Sequence, residues 1–296
     1  MTALYDPTAP LTASGNLRRR RAVSAVASSA TILAAVLAVG VLALVVFTVI
    51  QRGAGAISWQ FLTAAPPQFG GPGGGIAPAI VGTATIVAVA AAMAMPVGVA
   101  VAIFLTEYAG GRLTRPIQLA VDVMNSLPSI VIGLFVFGLL VAGRHQSGFA
   151  ASFALAMIML PLIARSTQEM LRLVPGTLRD AAEALGVSRW RTIVGVILPS
   201  ALGGIVTGTV LAIARAAGET APLLIVCSIY GNKTTFDIFG QAIPNIPVSI
   251  FTLSEQADPS GFTKAWGAAL VLLTFILLTN IVARTLLARS RRNMTR

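Results

Sequence analysis

The stretch TLRDAAEALGVSRWRTIVGVILP, residues 177–199, is the longest polar interruption in the second half of a very apolar chain. Within it, Leu178, Ala182 and Leu185 recur at i, i+4 and i+7, a spacing that predicts an apolar stripe along a short helix. The other side of this helix is expected to carry the polar side chains of Arg179, Asp180 and Glu183. A short amphipathic helix between two apolar runs favours a site where something outside the membrane docks.

The ends of this helix have signals of their own. Thr177 and Asp180 have the spacing of a capping box, in which a hydroxyl accepts a hydrogen bond from a backbone amide three residues on. Gly186 is expected to stop the helix, because glycine readily adopts the left-handed conformation that ends helices. Ser188 can then cap a second helix, and Pro199 marks the boundary before the next apolar run. The stretch is therefore predicted to form two short helices around a glycine turn.

The composition places the chain in a membrane. Its 296 residues are 56% hydrophobic and 10% charged, whereas soluble domains carry about 25% charged residues. The predicted fold class is therefore an all-α integral membrane protein. The one cysteine, Cys227, excludes an internal disulfide, and the one histidine, His145, argues against a histidine-based metal site. No catalytic residues, metal ligands or nucleotide-binding loop are expected on this chain, so its energy must come from a partner.

Six apolar runs predict six transmembrane helices, since a span needs about 20 residues. The runs cover residues 22–50, 76–105, 117–142, 149–164, 201–227 and 265–283. Residues 1–21 are predicted to be a disordered basic arm. A cleaved signal is the competing interpretation, but its apolar region has about 7–15 residues, and the run over 22–50 is far longer.

The basic residues predict the orientation in the membrane. Sixteen of the 21 Lys and Arg residues fall in segments on the same side as the N-terminus, four fall on the other side, and Arg215 lies within a span. Because cytoplasmic loops carry the excess of Lys and Arg, both termini and residues 177–199 are expected to be cytoplasmic. This asymmetry also explains the net charge of +11 without any nucleic acid as a partner.

Charged residues inside the spans are the candidate site. Arg215 is expected near the middle of the fifth span, where an arginine costs at least about 2.5–3.5 kcal/mol. Glu219 follows at i+4 and can pair with it on one helix face. The pair is either a structural ion pair or part of an anion site, because a guanidinium matches an oxyanion with two parallel hydrogen bonds. Arg165, near the end of the fourth span, is either an interfacial arginine or a second member of such an anion site. Pro128 in the third span is either a plain proline kink or a helix break near a pathway.

The 177–199 stretch resembles the EAA loop of ABC importer permeases. The likeness rests on Asp180-Ala181-Ala182, on Gly186 four residues later, and on the ending Val196-Ile197-Leu198-Pro199. Asp180 replaces the family's usual Glu, and Val196 its usual Ile. The resemblance implies a type I ABC importer permease architecture, with a core over 70–290 and an ATPase-coupling loop over 173–199. The residues that would couple to the ATPase are Asp180, Ala181, Ala182, Glu183 and Gly186.

A second resemblance concerns the substrate. The sequence ARAAGETAPL, residues 214–223, is similar to the fifth-helix motif of the PstA family of phosphate-specific permeases. The resemblance implies that Arg215, Glu219 and Arg165 belong to the phosphate path. It also implies helix breaks near that path, at Pro128 and Pro222.

The partners follow from the same resemblance. It implies the related permease PstC, two copies of the ATPase PstB and the extracytoplasmic phosphate-binding protein PstS, assembled in a bacterial inner membrane. No cofactor is expected on this chain, because ATP and Mg would bind the partner ATPase. The alternatives left open are a permease for another oxyanion such as sulfate or molybdate, a membrane subunit of an enzyme complex, and a passive channel.

Overall fold

The computed structural model describes residues 17–67, 73–108, 110–231, 233–256 and 259–294, and all regular structure in these ranges is helical. The helices are α1 (Leu17–Gly53), α2 (Trp59–Thr63), α3 (Ala77–Glu107), α4 (Thr114–Ser126), α5 (Ser129–Val136), α6 (Gly148–Arg172), α7 (Gly176–Ala184), α8 (Arg189–Thr192), α9 (Leu198–Ala217), α10 (Ala221–Val226), α11 (Ile246–Ser254) and α12 (Pro259–Met294). Short π-helical turns extend α5 over Phe137–Val141 and join α8 to α9 over Ile193–Ile197. The expected all-α fold class is confirmed.

The chain divides into two compact units, residues 1–51 and 52–296. In the first unit the described part is helix α1, which begins at Leu17. The prediction of disorder is therefore wrong for residues 17–21, which are helical, and residues 1–16 of the predicted basic arm lie outside the described residues. Thr31 and Thr48 donate their hydroxyl hydrogen bonds to carbonyl oxygens four residues earlier. These bonds satisfy the polar side chains within the helix, as a membrane-spanning helix requires.

In the described part of the chain, five helical segments are long and apolar enough to cross a membrane. They cover Arg19–Ala56, Ala77–Glu107, Gly148–Arg172, Arg189–Ala217 and Pro259–Val282. The third predicted span, residues 117–142, is a pair of helices, α4 and the π-extended α5, that meet at an angle of 105°. The expected six spans are reached only if this pair counts as one, and the turn at Pro128 is far too sharp for a plain proline kink.

The core of the second unit forms where α3, α6 and α9 pack closely. Gly98 of α3 lies against α6, because a Cβ there would be 2.9 Å from the Ile163 side chain. On α9, small residues that repeat every four positions, Gly204, Gly208, Ala212 and Ala216, pack on α6 in the same way. A Cβ at Gly204 would lie 2.1 Å from the Met170 sulfur, and Ala212 and Ala216 are buried. Small residues thus allow the close backbone approach that membrane helices use for packing.

The fifth apolar run, residues 201–227, forms two helices rather than one. Helix α9 ends at Ala217 and α10 begins at Ala221, so the break that the resemblance implies near Pro222 lies at residues 218–220. Pro222 lies in the first turn of α10, where a proline costs no hydrogen bond. A Cβ on Gly133 of α5 would lie 2.7 Å from the Cα of Pro222. The break before α10 and the break before α5 are therefore brought close together.

The segment after α10 is fixed by buried polar groups. The Ile243 amide donates to the Cys227 sulfur at 3.2 Å, and the Ile246 amide donates to Thr83 Oγ1 at 2.8 Å. Asn245 is fully buried and caps α11 by accepting from the Val248 amide. These bonds hold the end of α10 and the start of α11 against α3, so α10 has a defined position beside the helix break.

Candidate functional site

Two cavities lie along α4, and the first is formed at the helix breaks. This break cavity has a volume of about 260 Å³ and is lined by residues 124–129, Ile132, Ile158, Arg215 and Glu219. Since liquid water occupies about 30 Å³ per molecule, the cavity can hold a small hydrated ion. Three of the predicted site residues, Pro128, Arg215 and Glu219, thus line one cavity.

Arg215 and Glu219 form the ion pair that their spacing predicted. Arg215 Nε lies 3.9 Å from Glu219 Oε1; the arginine side chain is 58% exposed and the glutamate 18%. Glu219 lies beyond the end of α9, so the two do not share one helix face as expected. A separation of 3.9 Å is too long for a hydrogen bond. Within the described residues the Arg215 guanidinium makes no side-chain hydrogen bond, so its donors are available to a ligand.

Local backbone structure adds to the positive character of the break cavity. Ser129 is the first residue of α5, and the first amides of a helix have no acceptor within it. The positive end of the α5 dipole therefore lies at the cavity that holds the Arg215 guanidinium. The Glu219 carboxylate supplies a negative charge in the same cavity. Such a set of groups can bind an anion reversibly.

Arg165 lies in the second cavity rather than beside Arg215. This arginine cavity has a volume of about 510 Å³ and is lined by Leu105, Thr114, Arg115, Gln118, Leu119, Asp122, Arg165, Gln168, Glu169 and Arg172. Arg165 Nη2 contacts Asp122 Oδ1 at 2.5 Å. The structure therefore gives Arg165 a carboxylate partner and separates it from the Arg215–Glu219 pair.

Sequence reasoning missed Asp122 and its neighbours. Gln118 Nε2 donates to Asp122 Oδ1 at 2.9 Å, and Gln168 Nε2 donates to Gln118 Oε1 at 3.3 Å. The i, i+4 spacing of Gln118 and Asp122 in an otherwise apolar run was the available signal. Their partners on α6 are 43 to 50 residues away, so no local pattern indicates them.

The predicted glycine turn in the 177–199 stretch is confirmed. Gly186 has φ +72°, its amide donates to the Glu183 carbonyl, and the Val187 amide donates to the Ala182 carbonyl. These two bonds are a Schellman motif, the usual helix stop built on a left-handed glycine.

The predicted capping box is wrong. Helix α7 begins at Gly176 with Pro175 at its N-cap, and no side chain caps it. Thr177 is therefore already inside the helix. Ser188 does occupy the N-cap position of α8, but it serves through its backbone carbonyl, which accepts from the Thr192 amide at 3.0 Å.

Part of the predicted apolar stripe of α7 is exposed on the surface of this chain. Ala182 is buried, whereas Leu178 and Leu185 are 40% and 82% exposed. Asp180, Ala181 and Glu183 are exposed as well. Trp190 of α8 adds a large exposed side chain nearby in the sequence. This exposed surface of α7 and α8, Leu178 to Trp190, has the character of a docking site.

Arg179 was expected on the polar side of α7 but is turned toward the spans. Its guanidinium contacts both carboxylate oxygens of Glu107, at 2.8 and 3.3 Å, and donates to the Leu171 carbonyl. Glu107 is only 6% exposed. Arg189 donates to the Glu107 carbonyl and lies over the Tyr108 ring. These contacts attach the end of α3 to both α7 and α8, the helices of residues 177–199, which are called the docking stretch below.

The family description "Binding-protein-dependent transport system inner membrane component" matches residues 94–292. The chain belongs to this family, and it is a multi-pass membrane protein. The matched region contains both cavities and the docking stretch.

Curated relatives match over nearly the whole chain. "Phosphate transport system permease protein PstA 1" of Mycobacterium tuberculosis (strain CDC 1551 / Oshkosh) is 39% identical over 95% of this chain and 94% of its own length. "Phosphate transport system permease protein PstA" of Xylella fastidiosa (strain 9a5c) is 38% identical over 95% of this chain and 98% of its own length. The expected relationship to the PstA family is confirmed.

Solved structures show the same fold. A chain of the MetNI methionine ABC transporter in an inward-facing conformation matches with a TM-score of 0.60 and 19% identity, over 73% of this chain and 95% of its own. A chain of a bacterial alginate ABC transporter matches with a TM-score of 0.60 and 15% identity, over 92% and 96%. The expected type I ABC importer permease architecture is confirmed at the level of the fold.

Proposed function

We propose that this chain is the permease subunit of an ATP-driven importer of inorganic phosphate in a bacterial inner membrane, with both termini cytoplasmic. The observation that carries the proposal is the identity of 38–39% to phosphate transport permeases over 95% of the chain. The break cavity supports it, because a guanidinium and a helix N-terminus are groups that bind oxyanions. The chain itself has no enzymatic role.

In this proposal Arg215 is the anion-binding residue of the translocation path. Its donors form charge-assisted hydrogen bonds to phosphate oxygens. Glu219, 3.9 Å away, competes for the guanidinium and so keeps the affinity low enough for release. Its carboxylate can also accept a hydrogen bond from a protonated phosphate oxygen, which sulfate lacks at neutral pH. Arg165 lines another part of the same path. The helix breaks near Pro128 and Pro222 leave an opening between helix ends along this path.

In this proposal the ATPase transmits the energy of ATP hydrolysis to this chain through the docking stretch. We propose that the exposed surface of α7 and α8 binds one of two copies of the ATPase PstB, which holds ATP and Mg, while this chain binds no cofactor. The related permease PstC covers the membrane face on which Arg215 is exposed, and PstS delivers phosphate from outside. ATPase closure moves α7, and through it α6 and α9, so that the path opens to alternate sides.

Affinity purification of the tagged full chain from membranes tests the assembly. The expected result is that an ATPase and a second permease co-purify with it. Labelled phosphate uptake by the same cells tests the substrate, and an excess of sulfate or molybdate should compete poorly. Uptake that is abolished by sulfate or molybdate would assign another oxyanion, and purification without an ATPase would contradict the class.

A further inference from the structure

Helix α4 lines both cavities. Its last turn, residues 124–126, belongs to the break cavity, and Gln118 and Asp122 belong to the arginine cavity. A movement of α4 therefore changes both cavities at once. The position of α4 therefore controls whether an anion can pass from one cavity to the other.

Two polar links fasten α4 to α6. They are the Asp122–Arg165 ion pair at 2.5 Å and the Gln118–Gln168 hydrogen bond at 3.3 Å. Among the described residues these are the side-chain hydrogen bonds between the two helices. Since Gln118 also donates to Asp122, the carboxylate makes the first link and orients the amide that makes the second.

The C-terminal end of α4 lies at the helix break. The chain bends by 105° between Ser126 and Ser129, while α5 is held against α10 where Gly133 meets Pro222. A helix that ends at such a break can swing about the two residues of the break. Helix α4 can therefore move without carrying α5 with it.

We propose that Asp122 and Arg165 form a gate, in which an oxyanion takes Arg165 from Asp122 and so releases α4 from α6. The carboxylate and a phosphate oxygen use the same guanidinium donors, so they exclude each other. The side chains are 44% and 40% exposed, and ion pairs with such exposure are weak. A doubly charged anion at the cavity can therefore replace the carboxylate. This proposal rests on the proposed phosphate transport.

The charges of the arginine cavity favour the exchange. Three arginines line it, Arg115, Arg165 and Arg172, against the two carboxylates of Asp122 and Glu169. The excess positive charge attracts an anion while the gate is closed. Once Arg165 holds the anion, the Asp122 carboxylate loses its partner and is repelled by the bound charge, which drives α4 away.

Distances between a spin label on α4 and a spin label at the C-cap of α6 test the gate in the assembled full-length transporter. Val123→Cys and Leu173→Cys place labels on exposed positions outside both cavities, and Cys227→Ser removes the native thiol. Without phosphate, a short and narrow distance distribution is expected. With inorganic phosphate, the phosphate-binding protein and ATP present, a longer population should appear.

The variants separate a gate from a merely structural pair. Asp122→Asn should show the longer population without phosphate, and its half-saturating phosphate concentration should fall about two- to fivefold, because the competitor is gone. Asp122→Glu should behave as the parent. Arg165→Gln should also release α4 but lose the response to phosphate. Glu169→Gln, which removes a carboxylate of the same cavity, should leave the distances unchanged.

The outcomes distinguish the two proposals. If the parent transporter imports phosphate but Asp122→Asn keeps the short distances, the gate is wrong and phosphate transport stands. A change in Glu169→Gln equal to that in Asp122→Asn would also overturn the gate, since any lost charge would then suffice. If the parent imports no phosphate at all, the proposed function fails and the gate fails with it.

Discussion

The most informative residue is Arg215, because its position shows how a membrane span can accommodate a charged side chain. The helix that carries it ends two residues later, and the side chain lines a cavity beside free helix amides. Intramembrane charges are expected to face such cavities. The loose contact with Glu219 leaves the guanidinium ready for an anion.

Glu219→Gln tests the proposed role of the competing carboxylate. Removing its charge should lower the half-saturating phosphate concentration by about two- to fivefold, the range of a partly exposed ion pair. Discrimination should also weaken, so sulfate should inhibit uptake more strongly than in the parent. Dose–response curves in proteoliposomes measure both, and curves identical to those of the parent would contradict this role.

Glu107→Gln tests the attachment of α3 to the docking stretch. The substitution leaves the Arg179 guanidinium without its charged partner at a largely buried site, which should cost about 1–3 kcal/mol of stability. The expected results are a lower unfolding temperature of the purified complex and fewer phosphate ions moved per ATP. Arg112→Gln, an exposed arginine on the following loop, is the control. Equal behaviour of the two variants would argue against a coupling role for Glu107.

At this scale the sequence predicts contacts that are local. The Arg215–Glu219 pair follows from its i, i+4 spacing, and the Gly186 turn follows from glycine's backbone freedom. Partners such as Asp122 for Arg165 come from a different helix, so they depend on tertiary packing. Arg179 was placed on the wrong side because its buried acceptor, Glu107, lies 72 residues earlier.

At the scale of elements, the family resemblance implies helix breaks near Pro128 and Pro222, but hydropathy does not locate them. The apolar run of the fifth span continues through Leu223, Leu224 and Ile225, so hydropathy gives no sign that α9 has ended. Pro128 did indicate a break, but it gave no sign of the 105° angle between the two helices. The number of spans and the presence of both breaks were predictable, whereas the angle at the first break and the residue at which α9 ends were not.

Gly133→Ala tests the contact between the two broken helices. The added Cβ would lie 2.7 Å from the Pro222 Cα, a backbone atom that cannot rotate away. We expect a destabilisation of about 1–3 kcal/mol and reduced uptake at normal membrane abundance. Gly138→Ala, where a Cβ meets nothing within 4 Å, is the matched control. Full uptake in both variants would mean that this contact does not shape the path.

Gly186→Ala tests the docking stretch. An alanine at φ +72° carries a left-handed backbone cost of about 1–2 kcal/mol, so the turn between α7 and α8 should distort. The ATPase should co-purify less well while the chain still inserts in the membrane. Gly176→Ala, without a positive φ, should retain the ATPase. Equal recovery of the ATPase with both variants would argue against docking at this turn.

At the scale of the whole molecule, the composition and the asymmetry of basic residues predict a multi-pass helical membrane protein. The family match and the TM-scores of 0.60 agree with the architecture implied by the 177–199 stretch. In the proposed function, that stretch binds the ATPase and the break cavity binds the transported phosphate. The two are joined through α6, α9 and the Glu107–Arg179 contact.

The central claim is that phosphate passes the Arg215 guanidinium. It is tested most directly by ATP-dependent uptake of labelled phosphate into proteoliposomes that contain the assembled transporter and its binding protein. Arg215→Gln should lower the uptake rate about ten- to a hundredfold, the loss of hydrogen bonds to a charged group, while Arg144→Gln, on an exposed turn, should match the parent. Parental uptake by Arg215→Gln, at equal amounts of intact complex, would contradict the account.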